Sequence, residues 1–112
     1  MITTETVESA YEFLRTLSPM KGWKLPHADE IEFKVVSRGT DFGVYTAYPH
    51  RITINTKRHG HLHTFLATLS HEMLHLHLSL KNLDAGQDPH GEAFQKHAAR
   101  ICRALGFDPK AF

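Results

Sequence analysis

The stretch LSHEMLHLHLSL, residues 69–80, decides how this chain is read. It sets His71, Glu72, His75 and His77 into a leucine-rich run. Leu62, Leu66, Leu69, Met73, Leu76 and Leu80 recur at helical spacing, so residues 61–81 are predicted to form the longest helix. His71 falls opposite that stripe and His75 a little further round, with Leu74 and Leu78 on the flank beside His71. A helix that is apolar on more than one side is usually buried, so its histidines are expected to face an enclosed region.

Residues 71–75 read H-E-x-x-H. On a helix, positions i and i+4 share a face, one turn apart. Both imidazoles can then reach one tetrahedral Zn²⁺ at about 2.0–2.1 Å. Glu72 points to the side of such a metal, where it would act as general base toward a water. A histidine-rich chain produces this pentad by chance now and then. The weight therefore comes from its setting, a strong helical pattern with a further histidine beyond a loop.

A catalytic zinc usually keeps three protein ligands and one open position. The longer pattern H-E-x-x-H-x-x-G-x-x-H fails, because Leu78 replaces its glycine and Lys81 its last histidine. A zinc ribonuclease pattern, H-x-x-x-H-x-x-x-x-x-H, fails at the same Lys81. His77 points away from His75 and cannot join it. His90, at the entrance of the next helix, is the preferred third ligand. His97, two turns deeper, is the runner-up, and Glu92 is the weaker carboxylate option.

Working outward, Val7, Tyr11, Leu14 and Leu17 predict a helix over residues 4–17, with Glu5 and Glu8 near its positive end. Residues 19–30 (PMKGWKLPHADE) read as a loop. Residues 31–36, 42–48 and 51–55 read as strands, with turns at Arg38–Asp41 and Pro49-His50. Residues 82–91 are loop-like. Phe94, Ala98, Ile101 and Leu105 line one face of a last helix over 91–105, His90 and His97 project from roughly that face, and Gly106 is its C-cap. The expected architecture is α+β in one domain, 1–112: an N-terminal helix, a small three-stranded sheet, the HExxH helix and a C-terminal helix. The site is expected between the last two.

The chain has 112 residues, 41% hydrophobic and 22% charged, which suits a globular protein rather than a disordered one. A formal charge of +1 gives no global attraction to nucleic acid or membranes. Ten histidines are the unusual count. The lone Cys102 excludes an internal disulfide and a CxxC zinc knuckle, and is read as packing. The opening MITTETVESAYEF lacks the pattern of a secretory signal, and no apolar run is long enough to span a membrane. A soluble, cytoplasmic protein is expected. Lys57–His63 is the local basic cluster, read first as a solvated turn and second as a DNA-phosphate contact. Trp23 is read as a loop anchor before a base-stacking residue. Tyr45 and Tyr48 are read as packing before oxyanion donors.

Thr68-Leu69-Ser70-His71-Glu72-Met73-Leu74-His75, followed by His90-Gly91-Glu92-Ala93-Phe94, resembles the SprT-like (Spartan) zinc metallopeptidases. That family pairs HExxH with a later H-G-x-x-F whose histidine opens the following helix. The order before the motif is similar as well, down to the strand ending Ile52-Thr53-Ile54-Asn55. The resemblance implies a minimal zincin-like domain with His71, His75 and His90 as ligands of one Zn²⁺ per chain and Glu72 as catalytic base. It implies a protein substrate, which in Spartan's case is crosslinked to DNA. The sequence lacks the cysteine-rich zinc module and basic tail of larger members, so DNA contact, substrate recruitment and oligomeric state stay open. Two other readings stand beside it: a zinc-stabilised protein- or DNA-binding domain that does not cleave, and a histidine-rich structural protein with no metal. Only the enzyme needs Glu72.

Overall fold

A computed structural model describes residues 2–84 and 88–112. Helix α1 (Thr4–Arg15) begins at a capping box in which Thr3 and Thr6 each accept the other's main-chain N–H. Its buried face is Val7, Tyr11 and Leu14. It stops short of the predicted Leu17. The main-chain N–H and the hydroxyl of Thr16 both turn back to Phe13 O, and Pro19 follows closely without a donor. The predicted loop 19–30 contains two 3₁₀ turns, Met20–Trp23 and Ala28–Glu30. Side chains of α1 pin it. The Tyr11 hydroxyl donates to Pro26 O at 2.6 Å, Arg15 to Leu25 O at 2.8 Å, and the Ala28 N–H donates to Glu12 at 2.6 Å.

Strands β1 (Glu32–Val36), β2 (Gly43–Thr46) and β3 (Arg51–Asn55) form a sheet of order β1-β3-β2. β3 lies in the middle, parallel to β1 and antiparallel to β2. Ile52 and Ile54 of this central strand are fully buried. β2 is left at an edge, beside the site. Asn55 closes β3 by donating to the carbonyls of Arg38, Gly39 and Asp41, which fixes the turn leading into β2.

Helix α2 (Leu62–Leu80) runs between two apolar clusters, which explains its double-sided hydrophobicity. Leu69, Met73 and Leu76 pack with Val7, Tyr11, Ile52 and Ile54 on one side. Leu74 and Leu78 pack with Phe94, Ala98 and Ile101 of α3 (Glu92–Leu105) on the other. The ends of the predicted stripe leave the core: Leu62 is 69% exposed and Leu80 40%, because the helix outruns the elements stacked on it. Cys102 is buried in the α3 cluster, and Gly106 caps α3 in the left-handed region (φ 80°). Within the loop expected over 82–91, residues 85–87 lie outside the described residues; Asn82, Leu83, Asp84 and Asp88–Gly91 form neither helix nor strand. Among the described residues, no helix is long and apolar enough to cross a membrane.

Candidate metal centre

His71 and His75 sit one turn apart on α2, between its two apolar faces. His90 arrives from the other side, just ahead of α3. Its N–H donates to Asp88 Oδ1 at 2.9 Å, and Gln95 Nε2 donates back to His90 O at 3.1 Å, so the entrance of α3 is braced. Phe94, one turn into α3, holds all three rings, each centroid 4.8 Å from its own.

The three Nε2 atoms form a triangle with every side 3.2 Å. His71 and His75 are half-buried and His90 is exposed. Burial lowers the His75 pKa to about 4, with further lowering from His71 and His90. Burial also lowers that of His71, partly offset by the hydrogen bond to the main chain of Phe112. His71 Nδ1 lies 2.9 Å from the main-chain oxygen of Phe112, within hydrogen-bond reach. The three Nε2 atoms face one common point. A cation is the natural occupant of such a point. The 3.2 Å spacing suits three imidazoles bonded to one zinc at about 2.0–2.1 Å.

His97 is elsewhere. Its ring lies 5.3 Å from His77 and 5.5 Å from Trp23, and Trp23 stacks on His77 at 4.1 Å. The sequence placed His90 and His97 on roughly one face. They part because His90 precedes the first turn of α3 and does not follow its helical angle. Glu92 is exposed and outside the triangle. Trp23 anchors its loop through that stack.

Glu72 is 5% exposed. Burial raises its pKa to about 8, Asp41 adds to the rise, and the Tyr45 main chain offsets part of it. It opens onto a cavity of about 440 Å³ that also holds the three imidazoles, Asp41 and Tyr45. β2 forms one wall. Tyr45 reaches the cavity with its hydroxyl paired to His50 Nδ1, whereas Tyr48 is 93% exposed on the following turn.

In the basic cluster, Lys57, Arg58, His61 and His63 are exposed as expected, but His59 is not. Its ring is buried beside Phe42 and Phe65, with Nε2 donating to Phe42 O at 3.1 Å. Three contributors to the site were missed in the sequence: Gly43, Asp41 and the main-chain oxygen of Phe112. A glycine inside a strand is a signal of close approach and could have marked Gly43. A main-chain oxygen has no residue-type signal.

The model of the SprT-like family matches the chain over residues 10–111. No curated protein matches it.

Proposed function

The chain belongs to the SprT-like family, and from that premise we propose that it is a zinc-dependent endopeptidase acting on protein substrates. His71, His75 and His90 would hold one Zn²⁺, and Glu72 would be the general base. The observation that carries this reading is a converging donor set of three imidazoles with a buried carboxylate beside it that is not part of it. Zinc, when bound, supplies Lewis acidity: it lowers the pKa of a water toward about 7 and polarises a carbonyl.

The remaining work falls to this chain's residues. The Glu72 carboxylate takes a proton from the attacking water and returns it to the leaving nitrogen. Its burial raises its proton affinity, which favours the transfer of the water's proton to it. β2 offers an unpaired edge along the cavity, where an extended peptide can add as a further strand. Tyr45 places a phenol on the same wall, suited to hydrogen-bond the carbonyl oxygen as charge develops.

A zinc-stabilised binding domain would also use the three histidines. It has no need of a carboxylate that, among the described residues, is buried without an ion-pair partner, which costs stability. The test is zinc content together with cleavage of an unstructured protein, with and without single-stranded DNA, for wild type and Glu72→Gln. The expected result is about one zinc per chain in both, with cleavage reduced at least about 100-fold in Glu72→Gln. A zinc-loaded wild type that cleaves nothing under either condition would favour the binding domain. A wild type that takes up no zinc would sink both.

A further inference from the structure

Beyond α3 the chain turns back on the site. The left-handed Gly106 redirects it, and Phe107 is buried with its ring 5.2 Å from His63. A turn follows in which Asp108 O accepts the Ala111 N–H at 3.0 Å and Asp108 Oδ1 accepts the Lys110 N–H at 2.9 Å. The Phe112 ring then stacks on Phe107 at 6.1 Å and lies 5.4 Å from His71. These contacts deliver Phe112 O to His71 Nδ1 at 2.9 Å, across 41 residues of sequence. Among the described residues, neither His75 nor His90 has a protein partner at Nδ1. Ala111 and Phe112 also wall a cavity of about 190 Å³ with Phe42, Gly43, Thr68 and Glu72.

We infer that residues 107–112 are a positioning element of the site: the main-chain oxygen of Phe112 holds His71 as its Nδ1–H tautomer, while Ala111 and Phe112 wall the cleft beside Glu72. A neutral imidazole can carry its proton on either nitrogen, and a partner that only accepts selects the nitrogen facing it. The selection leaves Nε2 of His71 directed at His75 and His90 before any ion arrives. Its consequence for metal affinity rests on the zinc reading above; the tautomer itself does not.

The test uses long-range proton–nitrogen NMR of the metal-free chain, at a pH where the ring is neutral. The expected result is a His71 proton on Nδ1, slow to exchange. In a chain ended at Asp108, the ring becomes a tautomer mixture and zinc affinity, measured by competition with a chelating dye, falls about 10–100-fold. A His71 proton on Nε2 in the full chain overturns the inference. So do an unchanged tautomer and unchanged zinc affinity in the shortened chain. Should the shortened chain fail to fold, the full-chain spectrum decides alone. A full chain with the Nδ1–H tautomer that binds no zinc would overturn the peptidase reading and leave this one standing.

Discussion

A Cβ on Gly43 would stand 3.3 Å from Cγ of Glu72 and 2.8 Å from Cγ2 of Thr68, so the edge strand touches the site helix at the residue carrying the carboxylate. The same contact buries Glu72 and raises its proton affinity. Gly43→Ala must displace the Thr68 methyl, and Thr53 O at 3.2 Å blocks retreat toward the sheet. A destabilisation of about 1–3 kcal/mol is expected. The proposed peptidase activity should fall further than the folded fraction does, because Glu72 shifts with the helix. Adding Thr68→Ser removes the closest atom and should restore much of both, as a double-mutant cycle would read. A Gly43→Ala protein as stable and active as wild type would show that this contact has no role.

His90 and His97 separate cleanly in their expected effects. His90→Ala removes one corner of the triangle, and bound zinc should drop from about one per chain toward none after dialysis. His97→Ala disturbs only the cluster with Trp23 and His77 and should keep its zinc. Metal analysis of both variants checks this, and equal loss in the two would contradict the placement of His90.

Metal removal should lower thermal stability, because the triangle ties α2 to the entrance of α3. Zinc at about 100 times its Kd adds about 2.7 kcal/mol, on the order of 10 °C in Tm for a chain of this size. Melting with zinc and with a chelator measures it. An unchanged Tm after zinc has left would mean that the ion is not coupled to folding.

Glu12 links stability to pH. Burial alone would raise its pKa, but the Arg15 guanidinium at 2.8 Å and the Ala28 N–H at 2.6 Å more than offset that, and the net shift is downward. A folded-state value below the unfolded one means that folding favours the ionised form. The stabilisation is present above the unfolded value of about 4.3 and is lost as pH falls through the lowered folded value. Glu12→Gln should therefore lower Tm at neutral pH, with the gap to wild type closing in acid. The pair is partly exposed, so the effect should be about 1 kcal/mol or less. A gap that stays constant to low pH would rule out the carboxylate charge as its source.

The sequence was informative where the chemistry is local. Spacing along one helix axis put His71 and His75 on a shared face and sent His77 away, since residue angles on a helix are set by its own geometry. The double apolar character of residues 61–81 foretold an element packed on both sides, as α2 is between the sheet with α1 and α3. Three helices and three strands were legible from periodicity and turn residues, with ends trimmed by Thr16, Pro19 and the turn around Tyr48.

Only the tertiary structure decided what crosses between elements. It set β3 between β1 and β2, leaving β2 as the edge beside Glu72. It brought His90 into the triangle and turned His97 toward Trp23, because a loop residue ahead of a helix takes its direction from the path of the chain. It buried Glu72 under a strand that the glycine alone allows so near. It supplied His71 with an acceptor from the main chain of Phe112. Periodicity constrains angles about a single axis, whereas these relationships are distances between axes, set by packing and by backbone groups common to every residue type.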